Sequence, residues 1–189
     1  GQASLEEICR CMSDLADCAI RHGQRLLERM LHAQHGEPMS EDGLRPQRLI
    51  VLGMGKLGGM ELNVSSDIDL IFVYAEDGQV HRAEQTPGSL SNHEFFARLG
   101  RRLIALLDQT SADGRVFRVD MRLRPWGDPG PLAMSFDALE NYLVSQGREW
   151  ERYAWIKGRV ITDPTSPHAA RVIQHPGAIV RIDSMKELL

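Results

Sequence analysis

The chain has 189 residues, 42% hydrophobic and 25% charged, an ordinary globular composition with length enough for one sizeable core and its appendages. A formal net charge of -4 offers no broad basic field, which argues against nucleic acid as a partner and leaves phosphate chemistry to locally placed groups. Cys9, Cys11 and Cys18 crowd one segment without a second ligand cluster, as reduced thiols of a cytoplasmic protein do, and neither a membrane span nor a signal peptide is expected.

Residues 5–32 carry Leu5, Ile8, Met12, Leu15, Ala19, Leu26 and Met30 at three- and four-residue steps, the spacing of an amphipathic helix with one buried stripe. Residues 1–36 are therefore assigned to an N-terminal helix. Gly36, Pro38, Gly43 and Pro46 lie among charged residues and predict a flexible linker over 37–47. Arg48 to Leu52 is a short apolar run ending at glycines, the form of a buried strand, and Asp67 to Tyr74 is the next strand candidate.

From Asp77 to Asn92 the sequence reads as a polar surface loop. Ser91-Asn92-His93-Glu94 has capping-box spacing and predicts a helix buried through Phe95, Leu99, Leu103, Ile104, Leu106 and Leu107, with Arg98, Arg101 and Arg102 largely outside. Ser111 to Gly114 is a turn, Arg115 to Arg124 alternates like a strand, and Pro125 to Pro131 breaks structure. Two helices are expected over 136–146 and 148–160. The catalytic core with its following helices is assigned to 48–162 and a truncated segment to 163–189. The absence of an initial Met and the uncapped helix-like pattern at 182–189 read as a fragment of something longer.

The chemistry concentrates on two strands. A period of two puts Asp67 and Asp69 on one face, with Ile68, Leu70 and Phe72 on the other. Roughly 6.5 to 7 Å of rise separates the two aspartates, from which side chains can converge on a pair of cations. An isolated Asp-x-Asp is more often a turn cap and a solvated residue. Here Gly58-Gly59 lies upstream, able to let backbone approach a phosphate, and Ser65-Ser66 directly precedes the aspartates. On the second strand Arg118, Asp120, Arg122 and Arg124 share a face, so Asp120 would add a third carboxylate and the arginines would suit phosphate oxygens. The alternative is a salt-bridged edge strand.

Gly53-Met54-Gly55-Lys56-Leu57-Gly58 imitates a dinucleotide-binding fingerprint, but the strand that follows leaves no room for a crossover helix. Lys56 is not a Walker lysine, because Leu57 replaces the Ser or Thr; it touches a phosphate or stays at the surface.

The run from Gly53 to Leu70 resembles the signature of the bacterial glutamine-synthetase adenylyltransferase family, which has two related nucleotidyltransferase halves. Phe117 to Gly127 and Gln146 to Ala154 join the resemblance, which covers roughly residues 45–165. Asn63 before Ser65-Ser66, the Val119-Asp120-Met121 core and Trp150 to Tyr153 are most similar to the N-terminal, adenylyl-removing half. That resemblance implies an α+β, polymerase-beta-like nucleotidyltransferase fold: a mixed sheet with flanking helices and three aspartates on one face. It implies Mg²⁺, with Mn²⁺ as the alternative, held by Asp67, Asp69 and Asp120, with Arg122 and Arg124 stabilising charge. Gly58, Gly59, Ser65, Ser66 and Lys56 are the candidate phosphate and nucleotide contacts.

The implied reaction is phosphorolysis of the AMP-tyrosine bond of glutamine synthetase, releasing ADP, with the PII signalling protein acting through the full-length enzyme. Trp150 and Tyr153 are expected in core packing. ATP-dependent adenylylation and a non-catalytic module binding nucleotide or PII are the competing functions.

Overall fold

The computed structural model describes residues 3–82, 87–112 and 114–162; the helix-like pattern at 182–189 lies outside them, with the whole segment 163–189. Helix α1 (Leu5–His35) starts where Ser4 accepts the Glu7 backbone N–H and Glu7 returns the bond to the Ser4 N–H, a reciprocal cap. Its buried face is Ser13, Ala16, Ile20, Gln24, Leu27 and Leu31. The expected stripe is thus displaced around the helix. Leu5, Ile8, Leu15, Leu26 and Met30 are exposed, while Met12 and Ala19 pack partly on the core. Two apolar ridges run along α1, and packing selects the one with small and polar members because α3 (Asn92–Asp108) comes close there: a Cβ on Gly23 would lie 2.9 Å from Leu106 Cδ2.

A mixed sheet follows. Strand β2 (Ile50–Met54) pairs antiparallel with β3 (Ile68–Tyr74) in the register Met54 to Asp69, and α2 (Gly55–Gly58) is a single turn between them. On its other side β3 takes two parallel neighbours in succession, β6 (Val119–Asp120) at its start and β7 (Ala133–Ser135) at its end. Strand β8 (Arg159–Val160) closes the far side against β2. The period-two expectation for β3 holds: Ile68, Leu70 and Phe72 enter one core with α1 and α3, while Ile71 and Val73 enter a second with Phe136, Leu139 and Trp155. Both faces of the sheet are covered, so the arrangement is layered, helices on sheet on helices.

Several expectations change. The polar loop holds β4 (Gln79–His81) and β5 (Pro87–Ser91), which with β1 (Glu37–Pro38) form a second, three-stranded sheet. The linker over 37–47 is pinned rather than flexible: Ser40 and Gln47 are each 1% exposed, and backbone bonds link Gln47 to Pro38 and Ser40 to Arg45. Helix α3 (Asn92–Asp108) begins at the predicted Ser91–Glu94 box and buries Phe95, Leu99, Leu103 and Leu107, but Leu106 is exposed. Arg98, Arg101 and Arg102 are exposed as expected.

The strand expected over 115–124 shrinks to two residues. Phe117 and Met121 join the α1/α3 core, whereas Leu123 packs on the opposite cluster, because the chain turns between them with Arg124 N–H donating to the Met121 carbonyl. Helix α4 (Phe136–Ser145) matches expectation, and α5 (Glu149–Trp155) stops short so that β8 can pair with β2. Trp150 and Tyr153 are exposed, and Trp155 is the buried aromatic. No helix among the described residues is long and apolar enough to cross a membrane.

Candidate active site

The three aspartates meet where β2 ends and β3 and β6 begin. Asp69 and Asp120 are register partners across the parallel β3–β6 pair, and Asp67 stands just ahead of β3, where the Ile68 N–H donates to the Arg118 carbonyl at 2.9 Å. They line a cavity of about 470 Å³ together with Lys56, Asn63, Ser65, Ser66, Arg118 and Arg122.

Gly55 forms the opposite wall. Its φ of +54° is a left-handed conformation that favours glycine, and a Cβ there would lie 2.9 Å from Asp69 Oδ2 and push that carboxylate aside. Gly58 and Gly59, expected to approach a phosphate, do not line the cavity. A Cβ on Gly58 would sit 1.8 Å from the Lys157 carbonyl oxygen, which makes this glycine a packing residue between α2 and the segment leading into β8.

The rim is an Asn-centred turn. Asn63 Oδ1 accepts the Ser66 hydroxyl at 2.7 Å and the Ser65 backbone N–H at 3.2 Å, and Lys56 Nζ donates to Ser66 Oγ at 3.1 Å. Ser65, Ser66 and Lys56 therefore gather at one edge of the cavity. Asn63, which orders them, was visible only in the resemblance; the signal for it is the Asn-x-Ser-Ser spacing of a side chain that bonds backbone two residues on.

The charges are balanced internally. Arg118 Nε binds Asp67, and Arg122 holds Asp120 through Nε at 2.8 Å and its backbone N–H at 2.8 Å. Half-burial raises the Asp69 carboxyl above its ordinary value, and the charges of Asp120 and Asp67 add to the effect against the pull of Arg122 and Lys56. The Arg122 hydrogen bonds hold Asp120 below the usual range.

Arg124, expected beside the site, turns instead onto its own loop. It donates to the carbonyls of Met121 at 2.7 Å and Asp128 at 2.9 Å and is absent from the cavity wall. Trp126 and Gly127, both at φ +59°, make the turn that carries it there.

Carboxylate oxygens of this kind suit a hard divalent cation, and the mutual repulsion felt at Asp69 is what such a cation relieves. As the side chains stand, no three acidic, His or Cys groups among the described residues converge on one point, because Asp67 and Asp120 are turned onto Arg118 and Arg122.

Fold and site together define a layered α+β unit with an acidic, serine-rimmed cavity at the ends of its central strands. The chain is a member of the glutamate-ammonia ligase adenylyltransferase family, whose family model matches residues 1–172. It is 60% identical over 174 residues to the bifunctional glutamine synthetase adenylyltransferase/adenylyl-removing enzyme of Ralstonia nicotianae, covering 92% of this chain and 18% of that protein. The proteins of the same name from Chromobacterium violaceum and Burkholderia pseudomallei are 60% and 57% identical over 85% and 96% of this chain. The chain spans 17% of the former and 19% of the latter, a fraction of the length of each relative.

Proposed function

We propose that this chain is a polymerase-beta-like nucleotidyltransferase unit that removes AMP from the adenylylated tyrosine of glutamine synthetase by phosphorolysis. The observation that carries the reading is the pairing of Asp69 with Asp120, with Asp67 one step ahead and a Lys56–Ser66–Asn63 rim beside them. The relatives' name, which couples an adenylyltransferase with an adenylyl-removing enzyme acting on glutamine synthetase, supports the substrate.

In the reaction an oxygen of inorganic phosphate bonds to the phosphorus of the AMP group, and the bond from that phosphorus to the tyrosine oxygen breaks. The proton carried by phosphate ends on the tyrosine, leaving ADP and the unmodified side chain. Asp67, Asp69 and Asp120 would hold two Mg²⁺ or Mn²⁺ ions. Such ions, when bound, supply charge neutralisation for the entering and departing oxygens of an in-line displacement. Ser65, Ser66 and Lys56 orient phosphate oxygens from the rim, and Arg122 offsets the charge that builds on them. Arg124 braces the loop behind Asp120. The setting is the bacterial cytoplasm, with PII acting through the longer polypeptide.

The test is ADP formation from adenylylated glutamine synthetase, phosphate and Mg²⁺, compared with the Asp67→Ala variant and a phosphate-free control. ADP that needs phosphate, metal and Asp67 is expected. AMP transfer from ATP to unmodified synthetase, the other activity in the relatives' name, would reverse the assigned direction. Nucleotide binding unaffected by Asp67→Ala, without turnover, would replace it with a regulatory module.

A further inference from the structure

We propose that Arg118 is an anion-binding residue that exchanges partners, neutralising Asp67 while the carboxylates carry no divalent cation and turning to a phosphoryl oxygen once Asp67 ligates one. The inference rests on the two-cation reading above and adds to it a residue and a ligand class, a dianionic phosphoryl group.

The contact to Asp67 is made through Nε and is the side-chain hydrogen bond of Arg118 among the described residues. A guanidinium has five N–H donors, and this side chain is 59% exposed and lines the cavity, so most of its donor capacity is unused among the described residues. Its backbone is fixed, since its carbonyl accepts the Ile68 N–H at 2.9 Å. The pivot therefore stays beside Asp67 while the side chain turns.

Arg122 is a poorer candidate for the exchange. Its guanidinium grips both oxygens of Asp120, from Nε at 3.1 and 2.8 Å and from Nη2 at 2.5 Å, and its backbone N–H adds a fourth tie. That is a local clamp two residues long.

Charge balance supplies the driving force. Lys56, Arg118 and Arg122 offset Asp67, Asp69 and Asp120 around the cavity, which leaves no net attraction for an anion. Divalent cations taken up by the carboxylates release Arg118 and turn the same cavity strongly positive, the condition under which a phosphoryl dianion is held. Cation and phosphate should thus bind in order, with Arg118 competing against the first and assisting the second.

The experiment measures Mn²⁺ binding to this chain by the resonance signal of the free ion, then titrates inorganic phosphate or ADP into the Mn²⁺-loaded protein. Arg118→Met should bind Mn²⁺ about threefold or more tightly, because a competing cation is gone, and bind phosphate about tenfold or more weakly. Arg118→Lys, which keeps the charge and loses the fork, should fall between. Weakening with phosphate alone assigns Arg118 to inorganic phosphate; weakening with ADP, alone or as well, assigns it to the terminal phosphate of the nucleotide. Unchanged Mn²⁺ affinity in Arg118→Met, or unchanged affinity for both anions, overturns the exchange and leaves the two-cation reading standing. A wild-type chain that binds no Mn²⁺ overturns both.

Discussion

Asp69 and Asp120 stand opposite one another as Cα partners in the parallel β3–β6 pair, so the backbone ladder itself holds two carboxylates at neighbouring positions. Packing does not favour that arrangement: burial and the two flanking acidic charges push the Asp69 carboxyl toward its neutral form. Substituting Asp69→Asn should therefore leave thermal stability without divalent cation unchanged or higher. The same substitution should abolish any Mg²⁺-dependent rise in Tm and lower adenylyl-group turnover by at least about a hundredfold. Thermal melts with and without Mg²⁺ check both halves, and a melt that falls sharply would assign Asp69 a purely structural part.

Two nearby glycines should respond differently to the same methyl group. Gly58→Ala drives a Cβ into the Lys157 carbonyl and should cost about 3 kcal/mol of stability or more. Gly55→Ala meets Asp69 Oδ2 and an unfavourable φ, so its loss should include the site: cation affinity falls along with stability. Denaturant titration beside Mn²⁺ binding separates the two.

Helix α1 is fastened to the loop behind the site by Asp17 and Arg159. The carboxylate meets Nη1 at 2.7 Å and Nη2 at 2.9 Å, and Nη2 also donates to the Leu57 carbonyl at 3.1 Å. Ser13 Oγ accepts the Leu62 N–H at 3.2 Å from the same helix. Asp17→Asn leaves Arg159 and Arg21 short of a counter-charge in a largely buried position and should destabilise the chain by about 3 kcal/mol. Hydrogen exchange should quicken first at Leu62, if α1 lifts from that loop.

Glu28 supplies a pH signature. It is buried on α1, accepts Gln24 Nε2 at 3.0 Å, and desolvation raises its carboxyl above 4.5 more than Gln24 and Arg48 lower it. A carboxyl raised on folding costs stability when ionised. The cost is fully present above the folded pKa and vanishes below the unfolded one. Glu28→Gln should then raise Tm at neutral pH, and the advantage should fade as the pH drops through the raised value toward 4.5. A constant difference across that range would show that charge is not the cause.

Residues that act on their immediate neighbours were legible before folding. The Ser91–Glu94 capping box, the alternation of Ile68, Leu70 and Phe72 against Asp69, and the Ser65–Ser66 rim all span a few residues, so local geometry states them outright. The pairing of Asp120 with Asp69 was also within reach, because the alternation of the second strand sets its carboxylate on the face that meets the first, where it is ion-paired as well to Arg122.

Choices between equally good local patterns were not. Helix α1 carries two apolar ridges, and only the approach of α3 at Gly23 decides that Leu15, Leu26 and Met30 stay outside. Gly55 and Gly58 look alike in sequence, yet one gives way to a carboxylate and the other to the Lys157 backbone, far along the chain. Arg124 shares a strand-like alternation with Asp120, and the turn after Met121 sends it to its own carbonyls. The sequence by itself determined the acidic and hydroxyl chemistry of the site and the type of its main elements, since those rest on side-chain identity and short periods. Tertiary structure alone decided which face, which glycine and which arginine serve the site, because each depends on a partner brought near only by folding.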